Sequence, residues 1–212
     1  MMNSKLPDEI LHYIELVEKD KPRQCREQHA LVRHIRRCFE EEDLYVDTVQ
    51  LANYLRLVRY FPFDRLFPWE EFVFALWNCT YKADKTPRWK TLLCMVGRGA
   101  GKDGYIAFDA ACSISPYNPV SHYNVDICAN NEEQAVTPVK DFTEVLESPK
   151  YQAKLNRHYY HTKELIQGRK NKGVVKGRTN NPKGRDGMRS GKVIFNEVHQ
   201  FENYDNIKVF IT

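Results

Sequence analysis

The segment Thr91–Asp103 constrains the fold of this chain more than any other, because an apolar run in it changes abruptly into three glycines and a lysine. The run Leu92–Val96 has the length and boundaries of a buried parallel strand, so we expect a strand, a tight turn and a helix in succession. The alternate glycines allow the turn to present its N–H groups inward. Together with the N-terminus of a helix that starts near Lys102, those groups form a cradle for an anion. The segment therefore predicts a phosphate-binding loop.

The same segment approximates the Walker A pattern, which is glycine, four residues and then Gly-Lys-Ser/Thr. It departs from that pattern twice, because Val96 stands at the first glycine position and Asp103 replaces the hydroxyl residue. A glycine-rich turn that binds nothing is the alternative, but the apolar run before the turn and the helical run after it favour phosphate binding. The residues that we expect to contact ATP here are Gly97, Arg98, Gly99, Ala100, Gly101, Lys102 and Asp103.

A second predicted strand lies in the segment Lys192–His199, and Glu197 follows its apolar residues. ATP hydrolysis requires an acidic residue at the end of such a strand. The usual pair at this position is Asp-Glu, in which the aspartate holds Mg²⁺ and the glutamate polarises the attacking water. Here the pair is Asn196-Glu197. We therefore predict that Glu197 and Lys102 are catalytic. We also expect Asp103 to supply the anionic Mg²⁺ ligand that Asn196 cannot, with Asn196 offering its carbonyl oxygen.

Taken together, the motifs at 97–103 and 193–199 resemble the ATPase domain of tailed-phage terminase large subunits, the motors that package DNA into a procapsid. Phe67–Phe72 is similar to the adenine-side motif of those motors, and the resemblance covers roughly residues 60–212. It implies that Trp69 forms an aromatic wall beside the adenine and that Glu70 stands where the family often has a hydrogen-bonding glutamine. Core packing of Trp69 is the alternative.

The resemblance also implies cofactors, partners and a fold. The cofactors would be ATP and Mg²⁺, and the substrate of translocation would be double-stranded DNA. A homo-oligomeric ring, a portal protein and a small terminase subunit are the implied protein partners. The implied fold is α/β, a P-loop ATPase of the additional catalytic glutamate type with a mainly parallel sheet.

The order of elements along the chain agrees with that fold class. Helices are expected at 7–19, 23–42, 47–60 and 68–79, so a helical segment at 1–60 precedes an ATPase domain at 61–212. After the phosphate-binding loop and its helix, a strand at 123–129 and a helix at 131–147 continue a βαβ rhythm. Weak alternation around Tyr159–Ile166 and Gly173–Lys176 predicts short antiparallel strands or a hairpin.

The run Ile207–Thr212 is expected to be a further strand, which the resemblance would place between the strands of the two motifs. We expect the sequence to be part of a longer protein, truncated before a coupling motif and an RNase H-like nuclease domain. No residue present is therefore assigned a nuclease role.

Basic residues concentrate between Lys150 and Lys192, a segment that contains thirteen Lys and Arg residues but only two acidic residues. The net charge of this segment is +11 and that of the whole chain is +4, so the net charge of the remaining residues is −7. It is a candidate DNA-phosphate surface, with a solvated face as the alternative.

Phosphoryl transfer also needs positive charge at the γ-phosphate. Arg98 and Arg185 are the candidates, Arg185 acting in trans on a neighbouring subunit, with Arg178 and Arg189 as less favoured choices and DNA contact as the rival role.

Several function classes are disfavoured or left open. No run approaches a membrane span and the N-terminus is unlike a signal peptide, so we expect a cytoplasmic protein with no membrane partner. The six cysteines lack metal-binding spacing and are expected to be reduced. A superfamily 2-like helicase or translocase, a small-metabolite kinase, and an inactive nucleotide- or DNA-binding fragment remain as alternatives.

Overall fold

The structure, a computed structural model, describes residues 6–19, 23–179, 190–201 and 207–208. The chain divides into two compact units, one made of residues 1–58 and 63–95 and the other of residues 59–62 and 96–212. No helix in the described ranges combines the length and the apolar character that crossing a bilayer requires.

The first unit is mainly helical. It contains helices α1 (Asp8–Lys19), α2 (Arg26–Glu41), α3 (Thr48–Leu55) and α4 (Pro68–Cys79), and two short antiparallel strands, β1 (Leu44–Val46) and β2 (Thr80–Lys82). The helices predicted at 7–19, 23–42 and 68–79 are confirmed. The helix predicted at 47–60 is shorter, because it ends at Leu55 and a 3₁₀ turn follows at Val58–Tyr60.

Local signals explain two of these helix starts. The Asp47 side chain accepts a hydrogen bond from the Gln50 N–H over 2.8 Å, which caps α3 as its sequence predicts. Pro68 occupies the first turn of α4, where its missing N–H costs nothing. Helix α1 packs on α4 through an apolar stripe of Ile10, Ile14 and Val17.

The second unit is an α/β layer. It contains helices α5 (Lys102–Ser113), α6 (Glu132–Glu147) and α7 (Gln152–Leu155) and strands β3 (Asn124–Ala129), β4 (Tyr159–His161), β5 (Ile166–Gly168), β6 (Val174–Thr179) and β7 (Ser190–Phe195). These strands form a five-stranded sheet in the order β4-β5-β6-β3-β7. Both α5 and α6 contact the sheet, and an aromatic cluster of Phe61, Phe108, Phe142 and Tyr159 lies in the core.

The sheet is mixed rather than mainly parallel, which corrects the prediction. Strand β3 is parallel to both of its neighbours, β6 and β7, whereas β4–β5 and β5–β6 are antiparallel. The connections at 162–165 and 169–173 are too short for the crossover that parallel neighbours require. The antiparallel hairpin predicted in this region is confirmed.

The apolar run Leu92–Val96 is not a strand, so that prediction is wrong for the described structure. Residues 91–97 have no regular secondary structure, and the side chains of Leu93 and Met95 are 77% and 88% exposed. A strand forms only where a neighbouring backbone completes its hydrogen bonds. The expected neighbour was 207–212, of which the structure describes Ile207 and Lys208, and these two residues are helical.

Candidate nucleotide-binding site

The glycine-rich loop, residues 97–101, leads directly into α5. A turn closes at its start, where the Ala100 N–H donates to the Gly97 carbonyl over 3.2 Å. Gly99 and Gly101 have φ angles of 80° and 77°, in the left-handed region that glycine adopts without strain. Apart from its two chain neighbours, no atom of the described residues lies within 4 Å of a Cβ built on any of the three glycines. The helix begins at Lys102, as predicted.

Lys102 is the basic centre of the site. Its Nζ lies 2.7 Å from Glu197 Oε1 and 3.1 Å from Asp103 Oδ2. Burial opposes the charge on Lys102, but hydrogen bonds to Glu197 and Asp103 outweigh it and raise the pKa of the ammonium group. The lysine is therefore a charged ammonium group that is paired with two carboxylates.

Asp103 and Asn196 are adjacent, although 93 positions separate them in the chain. The Asn196 Nδ2 donates to Asp103 Oδ1 over 3.0 Å and lies 3.3 Å from the Gln134 carbonyl oxygen. The Asn196 backbone N–H donates to the Cys128 carbonyl over 2.8 Å, so the residue continues the β3–β7 ladder beyond the end of β7. Asn196 is only 4% exposed, and its position is fixed on three sides.

Asp103 offers a carboxylate suited to Mg²⁺, whereas Asn196 turns its amide Nδ2, and not Oδ1, toward Asp103. Mg²⁺ binds through one or two protein oxygens together with substrate phosphates and water, and does not need a cage made wholly of protein. The Asp103 carboxylate beside the glycine-rich loop meets that requirement, and Asn196 would add its amide oxygen only after rotation of the amide group. No group of three or more His, Cys, Asp or Glu suited to a metal occurs among the described residues.

Glu197 follows directly and has a left-handed backbone, with φ 55° and ψ 46°. For a residue with a Cβ this conformation costs about 1–2 kcal/mol, so the surroundings must hold it. Its side chain is held at both oxygens, since Oε1 contacts Lys102 and Oε2 lies 3.3 Å from His199 Nδ1. The predicted catalytic pair Lys102 and Glu197 is thus in direct contact, and the contact with His199 is one that the sequence did not predict.

Helix α6 contributes two polar residues that sequence reasoning missed. Gln134 presents its carbonyl to Asn196, and its Nε2 donates to Gln200 Oε1 over 2.8 Å. Asp141 is half-buried, and burial, followed by the charges of Asp103 and Glu144, raises the pKa of its carboxyl group. Gln134 lies in an ordinary amphipathic pattern, so the sequence contains no local signal for its contact with Asn196.

Trp69 and Glu70, the predicted adenine-side residues, belong to the first unit. Glu70 is 6% exposed, and its Oε2 accepts a hydrogen bond from the Phe67 N–H over 2.7 Å. It therefore caps the start of α4, a role that its position three residues into the helix predicts. Trp69 is half-buried. Contact of either residue with adenine stays a prediction.

The predicted arginines have different surroundings. Arg98 is exposed in the glycine-rich loop and forms no hydrogen bond or ion pair with the described residues. Arg178 donates from Nε to Asp126, a buried carboxylate of β3 that also accepts from Ser190 Oγ. This pairing holds Arg178 in the sheet. Arg185 and Arg189 lie outside the described residues.

Comparison with known proteins gives one informative match. No protein-family model and no curated protein matches the chain. The crystal structure of the HK97 bacteriophage large terminase matches with a TM-score of 0.62 and 17% sequence identity, over 79% of this chain and 35% of that one. The chain thus spans about a third of the length of the solved terminase. Over the aligned part it is similar in fold to a phage large terminase, which confirms the resemblance that its two motifs predicted.

Proposed function

We propose that this chain is the ATPase portion of a DNA-packaging motor, which hydrolyses ATP to move double-stranded DNA into a procapsid. One observation carries the proposal: Lys102, Asp103, Asn196 and Glu197, from two distant motifs, meet within hydrogen-bonding distance. A P-loop ATPase of the additional catalytic glutamate type needs a lysine and a glutamate in the places of Lys102 and Glu197, whereas Asp103 and Asn196 stand where it usually has a hydroxyl residue and an aspartate. The terminase fold of the aligned part supports the same reading.

The site chemistry follows from these contacts. N–H groups of the glycine-rich loop and the N-terminus of α5 would receive the phosphates of ATP. Lys102 would turn from the carboxylate of Glu197 toward the β- and γ-phosphates. Glu197 Oε1 would then be free to orient and deprotonate the attacking water, while His199 retains Oε2. Asp103, with Asn196 once its amide is rotated, would hold Mg²⁺, which would neutralise charge on the phosphate oxygens.

Further positive charge at the γ-phosphate would come from arginine. We propose Arg98 for this role within the subunit, because it is exposed in the glycine-rich loop and makes no competing contact with the described residues. Arg185 remains the proposed trans residue of a neighbouring subunit in a homo-oligomeric ring. Arg178 is the poorer choice, because Asp126 already neutralises its charge.

A basic–aromatic surface in the second unit is the proposed DNA contact. Lys150 Nζ lies 4.9 Å from the ring centre of Tyr151, Lys154 Nζ lies 5.4 Å from that of Tyr60, and Arg169 Cζ lies 5.7 Å from that of Tyr160. The Arg169 Nε is also anchored to the Asn156 carbonyl over 2.7 Å. Such prepositioned cations suit a phosphate backbone. We define this surface as Tyr60, Lys150, Tyr151, Lys154, Arg157, Tyr160 and Arg169.

The proposed setting follows from the motor function. The ring would work in the host cytoplasm at a procapsid, with a portal protein and a small terminase subunit as partners. Trp69 and Glu70 are proposed to lie toward the adenine.

The direct test is nucleotide binding and hydrolysis by the purified chain. Wild type should bind Mg²⁺·ATP and release phosphate, and Lys102→Ala should abolish both, because it removes the cation that faces the phosphates. Exchange of an exposed lysine of α1, Lys19→Ala, is the matched control and should change neither. Equal binding by wild type and Lys102→Ala would reject the site. Binding without hydrolysis by wild type would instead indicate an inactive nucleotide-binding module.

A further inference from the structure

A buried ion pair joins α5 to β7. Lys192 Nζ donates to both carboxylate oxygens of Asp109, Oδ1 and Oδ2, over 2.9 Å each. The two side chains are only 6% and 2% exposed. The pair therefore lies in the interior of the second unit, where neither charge is screened by water.

Stability alone does not account for this pair. Burying two charges costs most of what their attraction returns, and a well-packed apolar pair is often at least as stable. A hydrogen-bonded pair that uses both carboxylate oxygens also restricts geometry, because it fixes the distance and the rotation between α5 and β7. Neighbouring packing is equally restrictive: a Cβ added at Gly191 would lie 2.6 Å from the Tyr123 ring, so β7 cannot shift freely there.

The two elements joined by this pair carry the two halves of the candidate site. Asp109 lies on the helix that begins with Lys102 and Asp103, and Lys192 lies on the strand that leads into Asn196 and Glu197. Displacement of α5 along β7 would separate Lys102 Nζ from Glu197 Oε1, which now lie 2.7 Å apart.

We propose that Asp109 and Lys192 are positioning residues that set the phosphate-binding lysine against the catalytic glutamate. The inference rests on the proposed ATPase function. Phosphate binding depends chiefly on the glycine-rich loop and α5, whereas water activation needs Glu197 at the correct distance. Loss of the pair should therefore lower kcat far more than it raises KM for ATP, since misplacement by about 1 Å can cost ~10²-fold in rate.

The test uses substitutions that leave no unpaired buried charge. The double variant Asp109→Leu/Lys192→Met removes both charges together, and Lys192→Arg retains the charge while changing its shape. Both should keep KM within ~3-fold and lower kcat per folded molecule by at least ~10-fold. The control is Arg88→Gln, which removes an ion pair with Glu42 in the first unit and should leave kcat unchanged. An unchanged kcat in the double variant would overturn the proposal.

A structural readout separates this inference from the proposed function. In a crystal structure of the double variant, the contact between Lys102 Nζ and Glu197 Oε1 should be broken. A contact retained at its present length would overturn the positioning role even if wild type proves to be an ATPase. If wild type hydrolyses no ATP, the proposed function fails, but loss of the contact in the double variant would still support the positioning role.

Discussion

Asn196 Nδ2 donates a hydrogen bond to Asp103 Oδ1 over 3.0 Å, which places the residue that replaces the usual hydroxyl in the first motif against the residue that replaces the usual aspartate in the second. The first motif gains a carboxylate where a hydroxyl is usual, and the second loses one. Because the two side chains are adjacent, a carboxylate on either one would face the same ion. The net charge of the pair equals that of the common arrangement of serine or threonine with aspartate.

Substitutions at Asp103 and Asn196 test whether the carboxylate of Asp103 takes the place of the carboxylate that Asn196 lacks. Asp103→Asn should weaken Mg²⁺-dependent ATP binding by at least ~10-fold, the lower end of losses on removing a metal's supporting groups, and Asn196→Ala should weaken it much less. The double variant Asp103→Ser/Asn196→Asp should restore the affinity to within ~3-fold, because it returns the carboxylate to the other side of the same site. Titration calorimetry with and without EDTA measures each value. Equal effects of the two single variants would refute the compensation.

Glu197→Gln should separate binding from hydrolysis. Glutamine keeps the size of the side chain but cannot accept a proton, so we expect turnover to fall by ~10²-fold or more in an assembled motor. ATP binding should be retained, since Lys102 loses a competing carboxylate. Single-turnover phosphate release measures the effect, with the exposed α1 carboxylate variant Glu15→Gln as control. If both variants release phosphate at the wild-type rate, Glu197 only caps the turn that follows it.

The elements that carry the site were predictable because each has a local signal. The glycines at 99 and 101 mark the start of α5, Asn131 caps α6, and the apolar run before Asn196 forms β7. Pairing between distant side chains has no such signal, since the hydrogen bonds of Lys192 to Asp109 depend on how α5 packs on the sheet. The run at 92–96 differs from its predicted strand for a related reason: apolar residues allow a strand, but only a paired neighbouring strand makes one.

The burial of Glu70 makes the stability of the first unit dependent on pH. Burial, then the charge of Glu71, raises the pKa of Glu70 above its ordinary 4.5, although the hydrogen bond from Phe67 N–H opposes the shift. A carboxyl group whose pKa is raised on folding favours the folded state below pH 4.5, and this contribution is lost as the pH rises through the folded-state pKa. Deprotonation of Glu70 therefore destabilises the fold at neutral pH.

Glu70→Gln should remove this dependence. Glutamine can still accept the Phe67 hydrogen bond but carries no charge, so the variant should melt at the same temperature as wild type near pH 4 and at a higher temperature near pH 7. Glu70→Ala loses the cap as well, which costs about 1 kcal/mol. Thermal unfolding followed by circular dichroism across this range measures both. A Glu70→Gln variant whose melting temperature differs from that of wild type by the same amount at every pH would contradict the assignment.

The basic–aromatic surface makes a quantitative prediction about salt. Each phosphate contact releases counterions on binding, so each contact contributes about 0.9 to the magnitude of the slope of log affinity against log salt. The triple variant Lys154→Gln/Arg157→Gln/Arg169→Gln should therefore lower that magnitude by up to ~2.7, and it should weaken binding to all DNA sequences alike. All three side chains are exposed, but Arg169 also donates to the Asn156 and Tyr159 carbonyls, so the melting temperature of the variant is measured alongside its affinity. Removal of three exposed charges from the first unit, Lys19→Gln/Arg33→Gln/Arg37→Gln, is the matched control for net charge.

Fluorescence anisotropy with duplex DNA at several salt concentrations measures the slopes of both triple variants. If the two triple variants lower the slope equally, the effect is one of overall charge, and the surface defined by Tyr60, Lys150, Tyr151, Lys154, Arg157, Tyr160 and Arg169 is an ordinary solvated face.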